Sequence, residues 1–355
     1  MVPITTEPFD SVAYFNTAQS PGAIVGTCST YLKIITPEKL GEIFNQKIYP
    51  LRYSPRKMLI HPLHTLIILE SSHHAYNENE KKALKEKLIG NDPEAMELPE
   101  KNYGGFRAPV GRWASCIRLV DTIPGETLDL LELENNEAAI SMSLISFLGQ
   151  ENEIILVVGT VKDMILQPKS FTMAYIHAYG FTDQAKKLTL LHKTAVEDIP
   201  YCFAEFHGKL LAGIGTNIRL YELGKKKLLK KAELKGFHSG VNSLQVMGNR
   251  IFATDLSDSV HVLKYRNKEQ TFFEYADDIL PRWISTICVV DNRTVFAADK
   301  FESIFVIRLP ERNFSAGFFL SFADIDEEID EDPFSYKFKW ESGYLNGAPY
   351  KVTAF

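Results

Sequence analysis

Four histidines lie close together in the sequence, and two of them have the spacing of a metal-binding pair. His61 and His64 enclose the segment HPLH, and one helical turn would bring both imidazoles to one side, as a metal site requires. Pro62 and the alternating pattern around it place this segment in a loop, where the two rings need not converge. His73 and His74 add no Asp, Glu or Cys at a familiar metal-ligand spacing. We therefore expect no metal site.

The sequence lacks the signatures of common enzyme active sites. It has no GxSxG elbow, no HExxH pair and no Walker loop. GIGTNI at 213–218 begins like a dinucleotide-binding loop, but its third glycine is missing and a strand pattern follows where a helix would be needed. Carboxylate pairs such as Asp277 and Asp278 occur on any acidic surface. We predict that the protein is not an enzyme and has no catalytic residue, no cofactor and no small-molecule substrate.

The densest positive charge is the segment KKKLLKK at 225–231, in which five of seven residues are lysine. It follows Gly224 and an alternating apolar segment, which predicts a hairpin tip that runs into the next strand. Such a tip could contact RNA phosphate or an acidic partner, or its lysines could only protect a sheet edge from pairing with another chain. It contains no aromatic residue for base stacking. The candidate contact residues are Lys225, Lys226, Lys227, Lys230 and Lys231.

A block of negative charge lies near the end of the chain, where residues 324–332 hold seven carboxylates in nine positions. Such a block repels itself and is typical of a disordered loop, although it would also suit docking on a basic partner surface. The preceding segment FSAGFFLSF at 314–322 is too short to span a bilayer. We predict an acidic disordered loop over residues 311–335.

Composition narrows the classes of function further. The 355 residues carry 39 basic and 45 acidic side chains, a net charge of −6, which disfavours broad nucleic-acid binding. No apolar run is long enough for a membrane helix, and the first residues do not form a secretory signal. The four cysteines are single and far apart, as in a reduced cytosolic or nuclear protein.

The apolar segments that must position any functional residue are short and alternate between apolar and polar residues, as half-buried β-strands do. Six units, each an apolar strand, a turn and an alternating strand, begin at residues 23, 66, 154, 210, 251 and 295. The intervals from 23 to 66, 210 to 251 and 251 to 295 are 43, 41 and 44 residues, the repeat of a propeller blade. The interval from 154 to 210 is 56 residues, stretched by a loop near 163–172. We predict an all-β, WD40-like β-propeller of about six blades.

One charged segment interrupts the strand pattern. Residues 77–101 have high helix propensity and dense charges of both signs. They lie between a strand that ends near Tyr76 and a strand that starts at Trp113. We predict a helical and loop insertion over 77–112 within one blade of a single partial propeller domain spanning 1–355.

Eight segments carry a resemblance to a known family, and they follow one another in order along nearly the whole chain. Together they resemble the C-terminal part of the splicing factor 3B subunit 3, or spliceosome-associated protein 130, family. The wider family includes the large cleavage and polyadenylation specificity subunit and the large damaged-DNA-binding subunit. The segments are PLRYSPRKMLIHP (50–62), LDLLELENNEAA (128–139), LHKTAVEDIP (191–200), YELGKKKLLKK (221–231), ADDILPRW (276–283), AADKF (297–301), EIDEDP (328–333) and LNGA (345–348).

This resemblance implies a fold and a function. Family members consist of three seven-bladed propellers and a helical C-terminal domain, and this chain resembles most of the third propeller. The six unit starts then correspond to a seven-bladed ring truncated before its last blade at the C-terminus. Residues 313–323 depart from the family pattern, and because pyrimidine-rich codons can encode them, we hypothesise that they derive from a short intron read in frame.

The implied role is that of a non-enzymatic scaffold in the splicing factor 3B complex of the U2 small nuclear ribonucleoprotein, which recognises the intron branch site. The implied partners are the large HEAT-repeat subunit and small subunits of that complex, in the nucleus. RNA would be contacted only indirectly or through the lysine segment, and no membrane is involved. The alternative is a related propeller adaptor in mRNA 3′-end processing or in ubiquitin-ligase and DNA-damage assemblies.

Overall fold

The computed structural model describes residues 10–15, 23–28, 31–35, 48–89, 107–122, 125–149, 153–278, 280–309 and 341–343. The chain divides into two compact units, Met1–Pro50 and Leu51–Phe355. The first unit contains sheet I, an antiparallel sheet with the strand order β1-β2-β3. Its strands are β1 (Ser11–Phe15), β2 (Ala23–Cys28) and β3 (Tyr31–Ile35).

The second unit contains five four-stranded sheets, II to VI, in each of which consecutive strands pair in sequence order. Sheet II consists of β4 (Pro55–Ile60), β5 (Thr65–His73), β6 (Trp113–Asp121) and β7 (Thr127–Glu132). Sheet III consists of β8 (Glu137–Ser146), β9 (Ile154–Lys162), β10 (Met173–Thr182) and β11 (Lys187–Val196). Sheet IV consists of β12 (Pro200–Phe206), β13 (Lys209–Ile214), β14 (Asn217–Leu223) and β15 (Leu228–Lys235).

Sheets V and VI repeat the same plan. Sheet V consists of β16 (Val241–Met247), β17 (Arg250–Asp255), β18 (Ser259–Arg266) and β19 (Thr271–Asp277). Sheet VI consists of β20 (Ile284–Val289), β21 (Thr294–Asp299), β22 (Ile304–Arg308) and β23 (Glu341–Gly343). All pairings are antiparallel, as expected for alternating strands joined by short turns.

The sheets of the second unit bury their apolar faces against one another. Separate core clusters fill the gaps between sheets II and III, III and IV, IV and V, and V and VI. The first strand of each sheet also contacts the first strand of the next. Because a single small sheet cannot bury both of its faces, this stacking supplies the core, as in propeller blades.

The charged insertion contains helix α1 (Glu78–Ile89), which lies between β5 and β6. Those two strands nevertheless pair along their full length, so the insertion leaves the sheet intact. The side-chain Oδ1 of Asn77 accepts a hydrogen bond from the Glu80 N–H (2.9 Å), which caps the helix N-terminus. Acidic side chains in the first turn and Lys87 in the last turn match the helix dipole.

The predicted fold class is confirmed, because the described chain forms successive antiparallel sheets of a propeller-like, all-β fold with one charged helical insertion. Each predicted unit start falls within one residue of the start of a sheet's second strand, from β2 at Ala23 to β21 at Thr294. The acidic loop over 311–335, including 313–323, lies outside the described residues. The truncated ring and the single-domain boundaries stay predictions. Among the described residues, no helix is long and apolar enough to cross a membrane.

Candidate functional site

The predicted lysine segment forms a hairpin between the third and fourth strands of sheet IV. β14 ends at Leu223 and β15 begins at Leu228, so Lys225, Lys226 and Lys227 form the turn between them. All three side chains are exposed, and none of them forms an ion pair with another described residue. We call these three residues the lysine turn. It projects three uncompensated positive charges from an otherwise acidic chain.

The other two lysines of the segment form ion pairs with carboxylates. Lys230 Nζ lies 3.3 Å from Glu233 Oε2, and Lys231 Nζ lies 3.0 Å from Glu222 Oε2. Hydrogen bonds from Lys231 and Lys209 lower the pKa of the Glu222 carboxyl. The structure therefore divides the five predicted contact residues into a turn whose lysines form no ion pair within the described residues and a strand whose lysines contact carboxylates.

His61 and His64, which have the spacing of a metal pair, lie in the turn between β4 and β5, as expected from Pro62. His61 is buried, and its ring lies 4.5 Å from the Phe181 ring. Its Nδ1 accepts a hydrogen bond from the Leu63 N–H (3.2 Å), and burial lowers its pKa. His64 is exposed. Within the described part of the chain, no group of three or more His, Cys, Asp or Glu side chains could hold a metal ion.

A repeated irregularity marks one end of sheets II to VI. Near the start of the first strand of each of these five sheets, the register with the second strand shifts by one residue, which is a β-bulge. Because the strands are antiparallel, the connections between second and third strands lie at the same end. The five extra residues, which we call the bulge row, are Arg56, Ile140, Tyr201, Asn242 and Ser285.

Three members of the bulge row, Arg56, Ile140 and Tyr201, line a cavity of about 440 Å³. Its remaining wall comes mainly from the β9–β10 loop, including Ile165 and Lys169. Behind it lies a buried cluster that includes Trp113, Met164 and Ile199. This cavity brings residues from sheets II, III and IV together around a space able to receive a ligand.

Two cations face this largely apolar cavity. Arg56 Nε donates a hydrogen bond to the Ser71 carbonyl (2.9 Å). Lys169 Nζ lies 5.3 Å from the centre of the Tyr201 ring and 3.5 Å from Asp198 Oδ1. Burial alone would lower the pKa of Lys169, but Tyr201 and Asp198 together raise it. Lys169 therefore presents a positive charge at neutral pH.

A second polar cluster is sealed inside sheet III. The Glu137 carboxylate Oε1 accepts a hydrogen bond from Thr160 Oγ1 (2.5 Å) and lies 3.2 Å from His177 Nε2. His177 Nδ1 lies 2.9 Å from the Tyr179 hydroxyl. The two ring nitrogens of His177 therefore link the Glu137 carboxylate to the Tyr179 hydroxyl. Glu137, His177 and Tyr179 are at most 3% exposed, so a substrate has no access to them.

The bulge row and its cavity were not predicted from the sequence. The five bulge residues share no chemical type, so no residue pattern identifies them. The sequence contains one indication of the cavity. The interval from 154 to 210 is longer than the other intervals between units, and its extra residues are predicted to form a loop near 163–172. The structure shows that this loop forms one wall of the cavity.

Comparison with known proteins gives a consistent family assignment. The sequence profile of the CPSF A subunit region matches residues 114–316. The chain is 38% identical to splicing factor 3B subunit 3 of Danio rerio over 371 residues, which cover 99% of this chain and 30% of that protein. It is 39% identical to spliceosome-associated protein 130 A of Arabidopsis thaliana, with 99% and 30% covered. It is 36% identical to pre-mRNA-splicing factor rse1 of Neurospora crassa, with 99% and 28% covered. The chain thus spans about 30% of the length of these relatives.

Proposed function

Because the chain belongs to the CPSF A subunit region family, we propose that it is a non-enzymatic scaffold that acts in pre-mRNA splicing through protein–protein contacts. The observation that carries this proposal is the similarity to splicing factor 3B subunit 3 along 99% of the chain. The relatives in plants and fungi also bear spliceosomal or splicing names. These names do not favour the alternative, an adaptor for 3′-end processing or ubiquitin-ligase assembly.

The finer part of the proposal concerns the assembly and its location. We place the chain in the splicing factor 3B complex of the U2 small nuclear ribonucleoprotein, in the nucleus, where branch-site recognition takes place. Its proposed partners are the large HEAT-repeat subunit and the small subunits of that complex. The family resemblance supports these assignments, and no step of the role requires a cofactor or a substrate.

The fold supports a scaffold role through its rigidity. Sheets II to VI are joined by four apolar cores and by hydrogen bonds that cross from one sheet to the next. Gln245 in β16, for example, donates from Nε2 to the Ile287 carbonyl in β20 (2.7 Å) and accepts at Oε1 from the Val289 N–H (2.8 Å). Loops attached to such a body are held in fixed positions, which reduces the entropy lost when a partner binds.

The enzyme alternative has less support. The titratable side chains of Glu137 and His177 in sheet III are buried and engaged in internal hydrogen bonds. A catalytic group must reach its substrate, and these groups do not reach the surface. Their arrangement fits a structural role in holding β8, β9 and β10 together.

Affinity purification tests the proposed function. The tagged full chain is expected to recover the HEAT-repeat subunit and other U2 particle proteins from nuclear extract, identified by mass spectrometry. A tagged, unrelated β-propeller serves as the matched control for non-specific capture. Recovery of cleavage factors or cullin components would favour the adaptor alternative. Recovery of neither group by a chain with a folded circular dichroism spectrum would contradict the scaffold role.

A further inference from the structure

The cavity between sheets II, III and IV has a wall that is already fixed in place. The β9–β10 loop is closed on itself, because the backbone groups of Ile165 and Ser170 exchange two hydrogen bonds (2.8 and 3.0 Å). Trp113 Nε1 donates to the Met164 carbonyl (2.7 Å) and so ties the loop to sheet II. Ile165 also packs on Gly111, whose missing Cβ leaves it room. The cavity is therefore preformed and needs little rearrangement to receive a ligand.

The rim of the cavity is apolar and open to solvent. Ile165 is 37% exposed and Leu166 is 57% exposed, although both are large aliphatic side chains. A single exposed aliphatic residue is ordinary, but two consecutive ones at the mouth of an apolar cavity are typical of a binding surface. The volume of about 440 Å³ lies within the range of about 300–1,000 Å³ of known ligand pockets. The interior thus favours an aliphatic or aromatic group.

The positive charges at the cavity indicate which polar group the ligand would carry beside its apolar group. Arg56 and Lys169 line it, and Asp198 is the carboxylate that contacts Lys169 among the residues that the structure describes. The Arg56 guanidinium forms no ion pair within the described residues, and it donates a hydrogen bond to the backbone carbonyl of Ser71. One positive charge is therefore left over beside an apolar pocket, in a chain whose net charge is −6. An approaching carboxylate would complete this arrangement.

We propose that this cavity binds a partner peptide that inserts an apolar side chain and places a neighbouring Asp or Glu against Arg56 and Lys169. The proposal rests on the proposed scaffold function, because it names the chemistry by which one partner would be held. Bulge residues from three successive sheets line the cavity. Peptide binding would therefore require these three sheets to be correctly stacked.

An oriented peptide library tests the proposal. The probe is a pool of ten-residue peptides with a fixed central Leu or Phe and randomised flanks, passed over the immobilised full chain. The retained peptides are expected to be enriched in Asp and Glu next to the fixed residue. A synthetic peptide with the selected sequence is then expected to bind the Arg56→Glu variant about tenfold more weakly, because an attraction becomes a repulsion.

Matched variants locate the binding. Leu166→Glu at the rim is expected to abolish retention, whereas Leu280→Glu, at a leucine of similar exposure (51%) outside the cavity, is expected to leave it unchanged. The absence of any selected sequence would overturn the proposal. So would an acidic preference that survives both Lys169→Glu and Arg56→Glu, or binding of a small anion such as benzoate without binding of peptides.

The two proposals can fail separately. A chain that recovers spliceosomal proteins but selects no acidic peptide overturns the cavity assignment alone. A chain that selects acidic peptides but recovers no spliceosomal protein contradicts the splicing function and leaves the peptide chemistry of the cavity standing.

Discussion

The buried carboxylate of Glu137 connects three strands of sheet III at the scale of single residues. It contacts Thr160 on β9 and His177 on β10, and Lys193 Nζ on β11 lies 3.7 Å away. Burial alone would raise the pKa of Glu137. Hydrogen bonds from His177 and Thr160, together with the charges of His177 and Lys193, outweigh burial and lower the pKa to about 2. The ionised form is therefore the one that the fold stabilises.

Replacing this carboxylate tests its contribution to stability. Glu137→Gln is expected to lower the free energy of unfolding at pH 7 by roughly 3 kcal/mol, because buried partners lose their counter-charge. Since the folded-state pKa lies below the ordinary value of 4.5, the stabilisation is complete above pH 4.5 and is lost as the pH falls towards 2. Urea unfolding at pH 7 and pH 3 would measure both effects.

Glu134→Gln provides the matched control for that measurement. Glu134 contacts the same lysine, with Lys193 Nζ 3.2 Å from its Oε1, but its side chain is 59% exposed. Its replacement is expected to change the stability by less than about 1 kcal/mol, because water screens an exposed pair. A Glu137→Gln effect that is equally small, or that does not shrink at low pH, would contradict the assigned role.

At the scale of elements, adjacent sheets approach closely where β9 meets β12. Gly159 in β9 lies beside Pro200, and Ser141 Oγ in β8 donates a hydrogen bond to the Pro200 carbonyl (2.6 Å). A Cβ atom added at Gly159 would clash with Ser141 Oγ in the same sheet, and it would lie 2.8 Å from Pro200 Cγ and 2.9 Å from the Pro200 carbonyl oxygen. The absence of a side chain at this position therefore leaves room for the Ser141–Pro200 hydrogen bond and for the close approach of sheets III and IV.

Gly159→Ala is expected to destabilise the chain by about 1–3 kcal/mol, because a rigid backbone oxygen cannot move aside for the new methyl group. Thermal unfolding would measure the loss. Gly180→Ala is the control, since its Cβ would meet only the side chain of Leu191 at 3.3 Å or more. That change is expected to stay within about 0.5 kcal/mol. Equal losses of stability at the two glycines would show that the close approach of sheets III and IV does not cause the destabilisation at Gly159.

The elements themselves were largely predictable from the sequence, whereas their irregularities were not. Alternation and repeat length predicted the second strands, because side-chain burial alternates along a half-buried strand and so leaves a pattern in the residues. The bulges leave no such pattern, since an extra Arg56, Ile140 or Tyr201 is revealed only by the pairing with the neighbouring strand. The cavity depends on those bulges and on residues far apart in the chain, so the sequence alone could not predict it.

At the scale of the whole molecule, the sequence alone also could not predict which positive charges have carboxylate partners. The sequence predicted one basic segment of five lysines, but Glu222 on β14 contacts Lys231 across the strands, and Glu233 contacts Lys230 within β15. Only the folded strands show which lysines have a carboxylate partner. In a molecule with a net charge of −6, the lysine turn is then the part of the predicted basic segment that we expect to attract phosphate.

The salt dependence of RNA binding measures how much of the molecule contacts phosphate. Each contact with single-stranded RNA contributes a slope of about −0.7 in a plot of log affinity against log salt, so the three lysines of the turn predict about −2. Replacing Lys225, Lys226 and Lys227 with Gln is expected to bring the slope near zero. Replacing Lys230 and Lys231 with Gln is expected to change it less, because both lysines already contact carboxylates. A slope that survives the triple replacement would place the RNA contact elsewhere, and one steeper than about −4 would indicate a broad nucleic-acid surface despite the acidic composition.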